Sequence, residues 1–157
     1  MAKRKEQKIE ARLPSAPLWA NCDGPRVERA VSNLLGNARK FAAPETTIRL
    51  SVTRHAGEAI ISVADEGPGI PASEQARIFE RLFGGVDHQL GRRAGGGLGL
   101  PIVRAVVEMH GGRIWLESEP GSGATFRMAL PLKPKGSGPP ELLEPPAREP
   151  DGNATLQ

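Results

Sequence analysis

Ile60-Ile61-Ser62-Val63-Ala64-Asp65-Glu66-Gly67-Pro68-Gly69-Ile70-Pro71 passes within twelve residues from a β-branched apolar run to an acid and then to a loop of glycines and prolines. The run predicts a strand over 58–64 that ends at Asp65, and the alternating glycines and prolines predict a tight loop behind it. An aspartate at that point either closes a turn with its own side chain or offers a fixed acceptor to a ligand. Gly67 and Gly69 allow a close backbone approach that side chains would block. Gly67-x-Gly69-x-x-Ala72 after a strand also fits a dinucleotide-binding fingerprint. Against that stand Pro68 and Pro71, which hinder the immediate helix it requires, and the lack of a second mononucleotide-binding half. No glycine is followed by lysine, so the P-loop signature is absent.

Working outward toward the N-terminus, 46–53 has the β-branched content of a second strand, joined to the first by a turn near Ala56-Gly57. Before it, Asp23 reads as a helix N-cap with Pro25 in the first turn, where its missing N–H costs nothing. The helix should run to about Phe41. Val27, Val31, Leu34, Ala38 and Phe41 recur at steps of three and four and predict the core-facing stripe. Asn33, Asn37 and Lys40 fall on another face, within about 60° of each other at the helical angle per residue, so they project together. Upstream, Lys8 to Leu13 alternates polar and apolar residues as a half-buried strand does, and Leu18 to Cys22 has the content of another short strand.

Working toward the C-terminus, a short helix is expected from Ser73, carrying Ile78 and Phe79. The segment 84–97 is glycine- and arginine-rich with few apolar anchors and reads as a mobile loop. Leu98 to His110 returns to helical spacing, with Leu98, Ile102, Ala105, Val106 and Met109 on one face, and Gly111-Gly112 caps it. Strands over 113–117 and 124–130 predict a hairpin around Pro120-Gly121-Ser122-Gly123. The fold class expected is a two-layer α/β sandwich, a mixed sheet with helices on one face and the other face partly open. One domain over 1–132 is followed by a proline- and acid-rich tail, 133–157, expected to be disordered.

The composition narrows the function classes. A chain of 157 residues with 25% charged residues suits one globular domain. Its formal charge of +3 is small and partly gathered in Lys3-Arg4-Lys5, which disfavours nucleic-acid binding. The one cysteine, Cys22, permits no internal disulfide and is expected to be buried or half-buried; it fits a reducing compartment. No apolar run approaches the ~20 residues of a membrane helix, so no membrane contact by this chain is expected.

Four signals stand in a fixed order: Asn33-x-x-x-Asn37, Asp65-x-Gly67-x-Gly69, Phe79-x-x-x-Phe83 and Gly95-x-Gly97-x-Gly99. The series resembles the N, G1, F and G2 boxes of the catalytic ATP-binding domain of sensor histidine kinases, a Bergerat-fold family shared with gyrase, MutL and a heat-shock chaperone. The resemblance runs from about Asp23 to Pro131. It implies ATP and Mg²⁺ as cofactors. Asn37 matches the asparagine that holds Mg²⁺, Lys40 a lysine that reaches the phosphates, and Phe41 the place where a tyrosine usually lies beside the base. Asp65 matches the carboxylate that accepts a hydrogen bond from the adenine amino group, in a pocket continued by Gly67, Gly69 and Ile70. Gly95, Gly97, Leu98, Gly99 and Leu100 match the phosphate-covering loop and the helix start behind it. Arg92 and Arg93 fall on the ATP lid, 84–97, as candidate phosphate clamps, and Thr125 is included from the last hairpin.

Three positions depart from the family pattern: Gly84 replaces an arginine, and Gly96 and Ala124 replace threonines. Position 33 carries asparagine where the ATPase branches carry a water-activating glutamate, and a carboxamide is no general base. The resemblance thus implies a catalytic domain that passes the γ-phosphoryl group of ATP to a histidine elsewhere. Its partner would be a histidine-bearing dimerisation domain or phosphotransfer protein and, indirectly, a response regulator. None of His55, His88 and His110 lies in an acceptor motif. The alternatives are a non-catalytic ATP/ADP sensor and an anti-sigma-type protein-serine kinase. A monomer is expected, in the cytoplasm, whether alone or as part of a membrane-bound receptor.

Overall fold

The computed structural model describes residues 6–80 and 99–133, together with the backbone of 86–87 and 92–93. In chain order the elements are β1 (Lys8–Arg12), α1 (Gly24–Phe41), β2 (Thr47–His55), β3 (Glu58–Asp65), α2 (Ala72–Gln75), β4 (Val86–Asp87), β5 (Arg92–Arg93), α3 (Gly99–Met109), β6 (Arg113–Ser118) and β7 (Ala124–Pro131). Five strands form one sheet in the order β1-β2-β3-β7-β6; β1 is parallel to β2 and the remaining neighbours are antiparallel. β4 and β5 pair antiparallel as a separate ribbon.

α1 and α3 pack on each other and on one face of the sheet, around the fully buried Leu34, Ile48, Val63, Val103, Val107 and Met128. α1 begins where the sequence places it: Asp23 is the N-cap, its side chain accepting from the Arg26 N–H at 3.2 Å, with proline in the first turn. Its buried line is Ala30, Leu34, Ala38 and then Ala42 just past the helix end, flanked by the partly buried Val27 and Val31. Phe41, expected in that stripe, is instead 43% exposed. The line follows steps of four, and Phe41 falls one position before its end.

Other expectations also shift. Residues 18–22 form no strand; one backbone bond, from Lys133 N–H to the Trp19 carbonyl at 2.7 Å, ties them down. Cys22 is exposed, not buried. β1 is exposed at every residue, because it is the edge strand of the sheet and no described element covers it. α2 stops after four residues; Ile78 and Phe79 follow in a run of turns, Ile78 buried and Phe79 edge-on to Phe126 with ring centroids 6.2 Å apart. On α3 the buried residues are Val103, Val106 and Val107, while Ala105 and Met109 are exposed. That helix is apolar around most of its circumference, so spacing alone does not single out its inner face.

The sheet face away from the helices is screened in part. Arg113 on β6 reaches across β7 to Glu58 on β3 at 2.8 Å and lies 4.9 Å from the Trp115 ring. That lattice leaves Ile60 8% and Ala129 0% exposed on the same face, which explains a second buried side on central strands. The lid and tail expectations, 84–97 and 133–157, lie almost wholly outside the described residues.

Candidate functional site

Asp65 closes β3 on the helix side of the sheet, in alternation with the buried Val63 and Ile61. Its carboxylate Oδ1 accepts from the Gly67 N–H at 2.9 Å, and Ala124 stands opposite it on β7. Burial pushes this carboxyl above the ordinary aspartate range, and the nearby backbone N–H groups of Gly67 and Ala124 pull it only partly back. The Gly67 N–H fixes one oxygen of a half-buried acceptor and leaves lone pairs for a ligand.

The end of α1 forms the adjoining wall. A Cβ built on Gly67 would lie 2.8 Å from both Asp65 Oδ1 and the Phe41 carbonyl oxygen, so only glycine lets the loop and the helix end meet. Gly69 is likewise set against the Glu119 carbonyl. The close approach that the sequence assigned to both glycines is made by the protein's own backbone. Phe41 is exposed beside Lys40, whose Nζ is 5.5 Å from the ring centroid. One helical turn back, the half-buried Asn37 carboxamide lies 3.9 Å from where a Cβ on Gly99 would stand. Asn33 is half-buried a further turn back.

The site therefore joins two elements to α1: the Asp65 loop at its last turn, and the start of α3 beside Asn37. Gly99 and Leu100 open α3, whose first N–H groups have no intrahelical partner and offer donors to an anion. Among the described residues no group of three or more His, Cys, Asp or Glu could hold a metal ion. One carboxamide oxygen beside a helix N-terminus is a donor set that fits Mg²⁺ arriving with phosphate oxygens and water, and does not fit a dedicated all-protein cage. Arg92 and Arg93 have described backbone only, in β5, and Gly95, Gly97 and Leu98 lie outside the described residues.

Thr125 is a correction. It pairs with Ala64, one residue out of phase with the Ala124–Asp65 pair, so its side chain leaves the sheet on the opposite face. There it lines a groove of about 200 Å³ with Ser62 and Arg127, apart from Asp65. Two residues near the pocket were missed by sequence reasoning. Ser118 Oγ accepts from the Ile70 N–H at 2.9 Å and donates to the Gly123 carbonyl at 2.6 Å. Gln75 Nε2 donates to the Ile70 and Ser118 carbonyls at 2.8 and 2.9 Å. The spacing Ser118-x-x-Gly121-x-Gly123 was the available signal, since a hydroxyl just before a glycine turn commonly bonds the backbone within it.

Residues 22–134 match the family described as histidine kinase-, DNA gyrase B-, and HSP90-like ATPase. The alginate biosynthesis sensor protein KinB of Pseudomonas aeruginosa is 41% identical over 133 residues, which cover 80% of this chain and 22% of that protein. The circadian input-output histidine kinase CikA of Synechococcus elongatus is 44% identical over 110 residues, 69% of this chain and 14% of the relative. This chain thus spans less than a quarter of the length of either. Among solved structures, the mycobacterial sensor histidine kinase MprB superposes with a TM-score of 0.69 at 31% identity, covering 82% of this chain and 83% of that one. Full-length ShkA in complex with AMPPNP gives a TM-score of 0.69 at 31% identity over 82% of this chain and 26% of its own.

Proposed function

Because this chain belongs to the family of histidine kinase-, DNA gyrase B-, and HSP90-like ATPases, an ATP-binding family whose matched relatives are sensor histidine kinases, we propose that it binds Mg²⁺·ATP and transfers the γ-phosphoryl group to a histidine on a separate dimerisation domain or phosphotransfer protein. The observation that carries the reading is Asp65, a half-buried carboxylate held by the Gly67 N–H in the angle between α1 and the sheet. A fixed acceptor there suits the adenine amino group. Guanine would turn a carbonyl toward it and leave two acceptors unpaired.

The remaining residues take the other end of the nucleotide. Asn37 would hold Mg²⁺ through its carbonyl oxygen; when bound, the ion supplies charge neutralisation at the phosphates. Lys40 adds a cation from the same helix face, and the N–H groups at Gly99 and Leu100 face the phosphates, with Gly95, Gly97, Leu98, Arg92 and Arg93 on the segment leading into them. Phe41, Gly67, Gly69 and Ile70 complete the base end. Asn33 has no proton-accepting function near neutral pH, so the chain has no base there to activate water. The nucleophile is then an imidazole nitrogen of the partner. It attacks the γ-phosphorus in line, the bond from that phosphorus to the bridging oxygen breaks, ADP leaves with the electron pair, and the imidazole loses its proton. Positioning and electrostatics do most of the work in such a transfer.

Calorimetry of ATP with and without Mg²⁺, on the parent and on Asn37→Ala and Asp65→Ala, tests the pocket. Binding that requires Mg²⁺ and is lost in both variants is expected; a folded parent that ignores ATP would sink the reading. One observation favours a second reading, a nucleotide-sensing domain without transfer: Ala124, 6% exposed opposite Asp65, has no hydroxyl where the family has threonine. Phosphate appearing on an added histidine hairpin, and released by acid, separates the two. A serine ester, as in the protein-serine kinase alternative, would survive acid.

A further inference from the structure

β1 leaves one edge of the sheet open, and the residue pattern on that edge is its own complement. β1 pairs parallel with β2, and the Lys8 N–H donates to the Thr46 carbonyl at 3.1 Å. Backbone hydrogen-bonding groups alternate in direction along a strand, so Lys8, Glu10 and Arg12 turn theirs to β2 while Ile9 and Ala11 turn theirs outward. Leu13 continues the outward series, because Pro14 favours extended backbone at the residue before it. Among the described residues no strand pairs with this outer edge.

The side chains are sorted by the same alternation. Ile9, Ala11 and Leu13 fall on the helix side of the sheet, and Ile9 and Leu13 are 50% and 67% exposed there. Glu10 and Arg12 fall on the opposite face, and among the described residues neither has an ion-pair partner.

An antiparallel partner strand must bring outward-facing residues opposite one another. With a second copy of this chain set so that Ala11 meets its own counterpart, Ile9 of each copy faces Leu13 of the other, and Glu10 of each faces Arg12 of the other. Both apolar side chains are then covered and both charges are matched. The other registers are poorer. With Glu10 opposite its own counterpart, Lys8 faces Arg12 and every charged pair is like against like. With Ile9 opposite its own counterpart, Lys8 finds Glu10 but Leu13 is left uncovered. Charges on an edge strand ordinarily deter pairing; these deter the wrong registers and favour one.

We propose that β1 is a self-association surface, on which two copies of this chain pair antiparallel about Ala11 and join their sheets into one. Each copy contributes a single short strand, so the interface is weak and concentration-dependent. The monomer expected from the sequence is then the dilute form. Asp65 ends β3, two strands in from this edge, so the proposal stands independently of the nucleotide reading.

Sedimentation velocity on the full chain from about 10 µM to about 1 mM, with circular dichroism to check folding, tests it. The parent is expected to pass from monomer toward dimer across that range. Glu10→Arg and Arg12→Glu each set like charges against each other twice, and each should raise the dimer Kd about tenfold or more. Mixed in equal amounts, the two variants should associate with each other about as well as the parent does with itself, because every arginine at these positions then meets a glutamate. The double variant carrying both reversals should likewise recover. Ala11→Pro removes an outward N–H and no bond to β2, so it is expected to abolish the dimer and keep the fold. A parent that stays monomeric at the highest concentration overturns the proposal, whether the edge is then covered by the chain's own tail or left open. A dimer indifferent to Ala11→Pro overturns it by placing the contact on another surface, and a mixture no more associated than its components overturns the register.

Discussion

The Asp65 carboxyl is in tension with its own fold. Burial raises its pKa, so the folded state binds its proton more tightly than the unfolded chain does. The stabilisation from that proton is fully present below the ordinary value of 3.8 and is lost as pH rises through the higher folded value. At neutral pH the protein therefore carries an ionised group that the fold disfavours and a ligand can use. Asp65→Asn keeps a carbonyl acceptor for the Gly67 N–H without the charge. It is expected to raise the denaturant midpoint of the nucleotide-free chain at neutral pH, with the gain vanishing toward pH 3, while weakening ATP binding at least tenfold. Denaturation curves at several pH values check the first part and calorimetry the second. The sequence alone leads to this aspartate, since a carboxylate between a β-branched run and Gly-x-Gly is an unusual neighbour for both. What it does not disclose is Ser118: a hydroxyl 53 positions downstream acts here only because the β6–β7 hairpin returns to the end of β3.

Elements were legible to the extent that their own residues determine them. α1 carries its cap, its first-turn proline and its apolar line within 19 residues from Asp23, and it forms where those signals stand. β1 and α3 were misread in their faces because burial depends on neighbours: β1 sits at a sheet edge, and α3 is covered by α1 on one side and the sheet on another. Where α3 ends, His110 joins the two helices. Its Nε2 accepts from the Asp23 N–H at 2.8 Å, which assigns the proton to Nδ1, 2.6 Å from the Val106 carbonyl. His110→Ala removes a tie across 87 residues between the N-cap of one helix and the last turn of the other, and is expected to cost about 1 kcal/mol by chemical denaturation. The β2–β3 turn offers the opposite change. Ala56 and Gly57 sit at φ of +47° and +79°, a two-residue hairpin in which alanine is strained and asparagine is not. Ala56→Asn should stabilise by about 0.5–1 kcal/mol and raise the Tm by a few degrees, with ATP affinity unchanged because the turn lies at the end of the sheet away from Asp65.

At the scale of the whole molecule, the proposed ATP pocket lies on one side of α1, and among the described residues no histidine stands beside it. His55 ends β2, at the far end of the sheet from Asp65, and His110 has both ring nitrogens engaged. His88 lies outside the described residues, on the segment that precedes α3. Phosphotransfer, if the proposed function holds, is then a bimolecular event between this chain and its partner. Incubated alone with γ-labelled ATP, the chain is expected to incorporate no acid-labile phosphate. With a histidine-bearing hairpin added, label should appear on the hairpin at a rate linear in its concentration. Joining the two in one polypeptide by a flexible linker should replace that dependence with a constant rate, set by an effective concentration on the order of millimolar. Label on this chain alone would place the acceptor among its three histidines and reverse the assignment. His88→Gln then decides the matter, because His55 lies at the far end of the sheet and both ring nitrogens of His110 are engaged, whereas His88 stands on the segment that leads into α3.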